Sequence, residues 1–188
     1  MTANASQVVV GSGGKVYVAP VGTAEPNTAT EALNAAYLDL GYISEDGVSA
    51  SFGVSVEDIN AFQSLLPIRR VVTGRTADVS FTCRQWNADT FSLALGGGSF
   101  DVSGGSTYLF YPPANGDALA ENAVIIEWND GSKNYRLVIR RAVVTDAVET
   151  QIVRNAAADL PVTLSVLGSE ATDAWYLITD DDAFDTGA

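Results

Sequence analysis

The chain has 188 residues, 47% of them apolar and 18% charged. That is long enough for one domain with a sizeable core and is not a disordered composition. The 23 acids against 10 bases give a net charge of −13, which argues against a protein that grips phosphate backbones. There is no histidine and one cysteine, Cys83. This removes Ser–His and Cys–His nucleophile pairs, His-ligated zinc, thiolate metal cages and internal disulfides.

The charge is unevenly placed. Residues 1–60 hold seven acids and one base, Lys15; residues 61–160 hold ten acids and nine bases; residues 161–188 hold six acids and no base. Eight of the ten bases are arginine, the residue suited to bidentate ion pairs at interfaces. The imbalance reads as solubility, or as a protein that works beside nucleic acid without sticking to it. The N-terminal MTANASQVVVGSGG has no basic leader, and no apolar run approaches the roughly 18–20 residues of a membrane span. No targeting segment and no membrane insertion are expected.

In chain order, the punctuation is that of an all-β protein: short β-branched and aromatic runs cut by Gly, Pro, Asn and Asp. Residues 1–14 read as a flexible arm, and 15–21 as a first strand. Residues 23–40 suggest one helical turn behind a capping threonine. Residues 48–56 alternate without a fault. Val48, Ala50, Phe52, Val54 and Val56 point one way, and Ser49, Ser51, Gly53 and Ser55 the other. Residues 77–84 repeat the pattern, with Ala77, Val79, Phe81 and Cys83 opposite Asp78, Ser80, Thr82 and Arg84. The stretch between these strands is too long for a tight turn and too apolar for an idle loop. Its Ile59, Phe62, Leu65, Leu66 and Ile68 need a surface to bury against, and Arg69 and Arg70 with Arg75 read as an intersubunit ion-pair patch. A helix is expected after the cap Asn87, stopped by Gly96-Gly97-Gly98. Further strands are expected at 107–111, at 123–128 and 133–144 as a hairpin, and at 160–167, with 143–153 extended. Residues 169–188 read as an acidic arm led by an aromatic anchor. The pattern predicts a mainly β protein, a two-sheet sandwich or barrel over residues 15–168 with one flanking α-helix.

Motifs that suggest chemistry do not hold up. Gly11-Ser12-Gly13-Gly14 before Lys15 lacks the strand–helix setting and the GK[ST] of a phosphate loop. Asp180-Asp181-Asp182 with Asp185 lacks EF-hand spacing and reads as a solvated tail. Glu45-Asp46 and Glu57-Asp58 are adjacent on extended chain, where side chains diverge, a poor geometry for paired acid–base work. Cys83 lies on an apolar face and reads as a buried, inert thiol. Trp86, Trp128 and Trp175 read as core or interface anchors. No catalytic residue, metal or cofactor is expected. The more telling feature is the uncharged, small hydroxyl face of residues 48–56, because ordinary solvent-facing strands carry Lys, Glu or Arg. Such a face suits a surface that something slides past.

Five segments in order, GKVYVAPVGT, YLDLGYISEDGV, EDINAFQSLLPIRRVVTGRTADVSFTCRQWNADTFSLALGGG, LPVTLSVLGSE and WYLITDDDAF, resemble the major tail tube proteins of long-tailed bacteriophages. The likeness covers about residues 15–180 and is weakest over 99–122. It implies the tail tube fold, shared with the tube protein of type VI secretion. It also implies a homo-oligomer of hexameric rings stacked into a tube, located in the virion tail and made in the host bacterial cytoplasm. Tape measure, tail tip and terminator proteins would be partners, and DNA would pass through the lumen without specific binding. The resemblance makes Ser49, Ser51, Gly53, Ser55, Asp78, Ser80 and Thr82 lumen-facing. A second pair of lumen strands would come from 133–149 and 159–167. The loop 57–72, with Ile59, Phe62, Leu65, Leu66, Ile68, Arg69 and Arg70, would contact the next ring. Six subunits giving four strands each would close a barrel of ~24 strands with a backbone diameter near ~48 Å, wide enough for a duplex. The alternative from another class is a β-sandwich carbohydrate-binding or adhesin module that uses exposed tryptophans. A carboxylate-based hydrolase is more distant.

Overall fold

The computed structural model describes residues 3–168 and 174–185. Among the described residues, ten strands and one α-helix follow in the order β1 (Gly13–Pro20), β2 (Leu38–Asp39), β3 (Ile43–Ile59), β4 (Arg69–Cys83), α1 (Ala88–Ala94), β5 (Ser99–Val102), β6 (Tyr108–Tyr111), β7 (Glu121–Asp130), β8 (Lys133–Val144), β9 (Leu160–Val166) and β10 (Trp175–Thr179). The protein is mainly β with one flanking helix, as the alternation predicts.

Eight strands form one hydrogen-bonded sheet in the order β2-β1-β7-β8-β9-β4-β3, with β10 also paired to β8. The pivot is β8. One of its edges pairs with β7 along its length; the other is divided between β10 (residues 135–139) and β9 (residues 142–144). The sheet folds over at this strand and packs its two halves against each other. Val16, Val124, Ile126 and Ile139 from one half meet Val79, Phe81, Leu160, Val162 and Leu164 from the other, all buried. The β7–β8 turn needs only Gly131 and Ser132 between the strands. Gly131 sits at φ +59°, a left-handed conformation that glycine adopts without steric cost.

Helix α1 starts where the sequence signals it. Asn87 Oδ1 accepts from Thr90 N at 2.9 Å, and Asn87 N donates to Thr90 Oγ1 at 3.0 Å, a reciprocal capping box. Thr90 is buried because its hydroxyl also donates to Gln85 O at 2.8 Å. Phe91 carries the outer side of the helix onto the small β5–β6 sheet, with ring centroids 5.9 Å from Phe100 and 5.0 Å from Phe110.

A second apolar cluster (Ala19, Tyr37, Ala123, Ile125, Val138) lies on the opposite face of β1, β7 and β8. The segment 21–37 covers it. Arg136 is buried there, donating to Thr28 O and Glu31 O at 2.6 Å each and to Glu127 Oε1 at 2.6 Å. A buried guanidinium is tolerated because its donors are matched. Glu25 clamps the other end of the segment, accepting from Arg140 at 2.9 Å and from Tyr176 OH at 2.8 Å.

Several expectations are corrected. Residues 23–40 contain bends, turns and the short β2, but no helical turn; fixing this segment from outside by Arg136 and Glu25 requires no internal helix. Residues 145–153 are not strand. The pair β5–β6 begins at Ser99, where no strand was expected. The sheet takes in the last two residues of the expected N-terminal arm and part of the C-terminal one. β1 starts at Gly13, and residues 175–179 of the C-terminal stretch are β10, because Trp, Tyr, Leu and Ile fill the β8 edge that β9 leaves open. The supposedly solvated acids dock as well: Asp180 accepts from Asn134 N at 2.6 Å, and Asp181 from Tyr135 OH at 2.6 Å. Residues 169–173 and 186–188 of that stretch lie outside the described residues.

Candidate functional site: the projecting hairpin

The longest pairing in the molecule joins β3 to β4 and runs from Ile43↔Cys83 to Ile59↔Arg69. Only the lower part belongs to the core. β9 pairs with residues 78–83 of β4 and goes no further, so the outer hairpin projects from the body. Its apolar face is therefore exposed: Phe52, Val54, Val56 and Val72 are each about half accessible. Phe52 reaches back to the body, its ring centroid 4.3 Å from that of Trp175.

The other face is the hydroxyl one. Directly across the strands, Ser49 stands beside Ser80, Ser51 beside Asp78, Gly53 beside Thr76 and Ser55 beside Gly74. Residues at paired positions share a face, so the structure brings Ser49, Ser51, Gly53, Ser55, Asp78 and Ser80 onto one surface. Thr82 follows, opposite Pro161. A Cβ on Gly53 would lie 2.5 Å from Thr76 Oγ1, so glycine leaves room for that hydroxyl. The face continues through β9, where Thr163 stands beside Ser80 and Ser165 beside Asp78. The Ser165 hydroxyl donates to Asp78 Oδ1 and lies 3.3 Å from Thr145 Oγ1. Thr76, Thr145, Thr163 and Ser165 thus extend the surface beyond the residues read from sequence. The alternation of 160–166 carries the signal for two of them, but the pairing of β9 to β4 does not follow from it. Among 49–55, 74–82 and 161–165, Asp78 is the one charge on this face. Arg75, opposite Val54, is on the apolar face.

The loop expected over 57–72 is shorter than that. Ile59, Arg69 and Arg70 are strand residues, and the loop proper is 60–68. Cross-strand bonding outlasts the buried pattern because a hairpin closes its own hydrogen bonds without a core. Thr73 is an extra residue opposite the Ser55–Val56 step, a bulge that twists the outer hairpin. Ile68 N donates to Ile59 O at 2.9 Å, and Ser64 Oγ donates to Leu66 O at 2.7 Å, so the loop is internally tied. At its tip Phe62 and Leu65 are fully exposed, with Leu66 and Ile68 largely so.

Arg70 is gripped within the hairpin. Its Nε and Nη2 donate to Asp58 Oδ1 and Oδ2 at 2.6 and 2.9 Å. The guanidinium holds the Asp58 carboxyl below its ordinary range. Arg69 and Arg75 have no carboxylate partner among the described residues. The patch expected to face a neighbour therefore rests on these two, with Arg70 already paired at home.

At the base of the hairpin, Gly41 (φ +76°) lets Gln85 come close, and Tyr42 N donates to Gln85 Oε1 at 3.0 Å. Cys83 is buried, and desolvation pushes its thiol up to about 11. Trp128 stacks on Tyr135 with centroids 5.3 Å apart, and Trp86 Nε1 donates to Ala158 O at 2.7 Å. The three tryptophans are dispersed and do not form one platform. No group of ligating side chains suited to a metal occurs among the described residues, and no helix there is long and apolar enough to cross a membrane.

No curated protein matches the chain. One solved structure similar to it is a chain of the "Virion of native gene transfer agent (GTA) particle", 11% identical, covering 96% of this chain and 100% of that one, with a TM-score of 0.42. A projecting β-hairpin on a folded-over sheet, a bare apolar tip and a nearly uncharged hydroxyl face agree with the family whose model matches residues 1–188: the chain belongs to the phage tail tube proteins, structural components of the phage tail.

Proposed function

We propose that this chain is the repeating subunit of the tail tube, forming hexameric rings that stack into the conduit for the ejected genome. The observation that carries this reading is the β3–β4 hairpin. It exposes a long free edge and an apolar tip that a lone soluble chain has no reason to keep bare. Edge pairing of β3 with a neighbour would join subunits into a ring. The tip, residues 60–68, would reach the adjacent ring. The surface of β3, β4, β9 and the end of β8 would line the lumen. These four strands are neighbours in the sheet, which suits four contributed by each subunit. Arg84 and Arg141 on this side are drawn to Asp159 and Glu121, so the hydroxyls and Asp78 leave a passing duplex no free cation to hold its phosphates.

Negative-stain microscopy of the concentrated protein tests the reading. Rings or tubes with an open bore near ~40 Å are expected, from the strand count and spacing less the lining side chains. A protein that stays monomeric when seeded with assembled tail tips overturns it.

A further inference from the structure

We infer that Asn115 is a site of spontaneous covalent modification, where the turn 114–117 converts its asparagine to aspartate and isoaspartate through a cyclic imide. This is a property of the folded chain in water and does not depend on the tube reading.

Asparagine is among the chemically labile residues. The chain has ten, and Asn115 is the one followed by glycine. The neighbour matters because the reaction is an attack by the next residue's backbone nitrogen on the side-chain amide carbon. A Cβ on that next residue crowds the approach, and glycine has none.

The fold leaves both reacting groups free. Asn115 and Gly116 are the middle of a turn in the exposed stretch 112–120, which is neither strand nor helix. The turn is closed on either side of them. Asp117 N donates to Ala114 O at 3.0 Å, and Ala114 N donates to Asp117 Oδ2 at 2.8 Å. Neither the Asn115 carboxamide nor Gly116 N has a hydrogen-bond partner among the described residues. A Cβ added to Gly116 would meet nothing within 4 Å, so open space surrounds the attacking nitrogen. Asp46-Gly47 and Asp130-Gly131 could close the same ring, but their side chains are held. Asp46 Oδ2 accepts from Ser44 Oγ at 2.8 Å, and Asp130 Oδ2 accepts from Val10 N at 3.1 Å. An ionised carboxylate is also a poorer electrophile than an amide.

Water is the sole co-reactant. Gly116 N bonds to Asn115 Cγ, the Cγ–Nδ2 bond breaks, and ammonia leaves with the proton that Gly116 N gives up. Base speeds this step by taking that proton. Water then adds to one of the two imide carbonyl carbons, and the bond from that carbon to nitrogen breaks. Opening at Cγ gives aspartate in a normal backbone. Opening at the backbone carbon gives isoaspartate, with the chain running through Cγ. Either product sets a carboxylate near Asp117 and takes the net charge from −13 to −14.

Incubating the folded chain in mildly alkaline water enriched in heavy oxygen tests the inference. Anion exchange should resolve a form shifted by one negative charge. Peptide mapping should find heavy oxygen in aspartate and isoaspartate at 115, with this position converted more than any other asparagine. An isoaspartyl carboxyl methyltransferase should label the shifted form. Asn115→Gln, whose longer side chain closes a less favourable ring, should lose that form while keeping its circular dichroism spectrum. The free peptide 111–120 should convert at about the rate of the folded chain, because the fold restrains neither group. Conversion spread over the other asparagines, a shifted form that persists in Asn115→Gln, or a peptide that converts much faster than the fold overturns the inference.

Discussion

Arg70 and Asp58 are joined by two contacts near the end of the outer hairpin, beyond the reach of β9 and of every other strand among the described residues. The pair lies far from the core, so its effect is on the shape of the tip and not on whether the body folds.

Replacing Arg69 and Arg70 by glutamate puts two further acids beside Asp58 and Glu57 and removes the tip's cations. The expected product is a monomer with an unchanged circular dichroism spectrum and a melting temperature within about 2 °C of wild type. It should build no tubes under conditions where wild type does. Normal-length tubes from this variant would mean that the tip does not contact a neighbour.

The contact between Phe52 and Trp175 is the hairpin's tie to the body. Phe52→Ala should destabilise the fold by only about 1 kcal/mol. Hydrogen exchange at residues 50–56 and 71–77 should rise markedly, with no change at 137–139. Equal protection in both proteins would show that the hairpin is rigid without this tie.

Ser49, Ser51 and Ser55 are exposed, so lysines there should leave folding and tube assembly intact. Tubes of the triple variant should retain duplex DNA at low salt and release it as salt rises, because each phosphate contact displaces counterions. In infection, ejection should slow. If the variant tubes retain no more DNA than wild type, this face does not line the bore.

Asp181 is a buried carboxylate whose side chain is 1% exposed. Lys133, then the Tyr135 hydroxyl and Ala183 N, hold its pKa down to about 2. A depressed carboxylate stabilises the fold above its unfolded pKa of 3.8, and that contribution disappears as pH falls through the folded value. Asp181→Asn should therefore be less stable than wild type at pH 6. The two unfolding curves should converge between about pH 4 and 2. A gap that stays constant over that window would mean that Asp181 acts by packing alone.

Among the strands legible in the sequence are those with one buried and one open face. Val79, Phe81 and Cys83 on β4 and Leu160, Val162 and Leu164 on β9 gave the period of two that alternation requires. Helix α1 was legible because Asn87 and the glycine run mark both its ends. Residues 48–56 were legible too, although both their faces are open; the end of the hairpin was not, since residues 57–59 and 69–72 lie beyond the core and break the alternation. β10 was hidden for a different reason. Trp175–Thr179 completes an edge of β8 whose existence depends on β9 stopping short, a long-range fact that local sequence does not contain. The hydroxyl face was readable on β3 and β4 one residue at a time. Its extension through 159–167 was implied by the resemblance alone; placing Thr163 beside Ser80 and Ser165 beside Asp78 needed the order of the strands.

Before assembly, β3 is an edge of 17 residues with no strand paired outside it among the described residues, uncharged from 47 to 56. That is the sort of template on which chains aggregate. The free subunit carries few local gatekeepers there, so its protection is colloidal: a charge of −13 per copy keeps copies apart at long range. This shield shrinks with ionic strength, to about 10 Å at 0.1 M salt. Salt therefore sets how close two naked edges come before they join, and the stored subunit pool is guarded by its distance from its own kind.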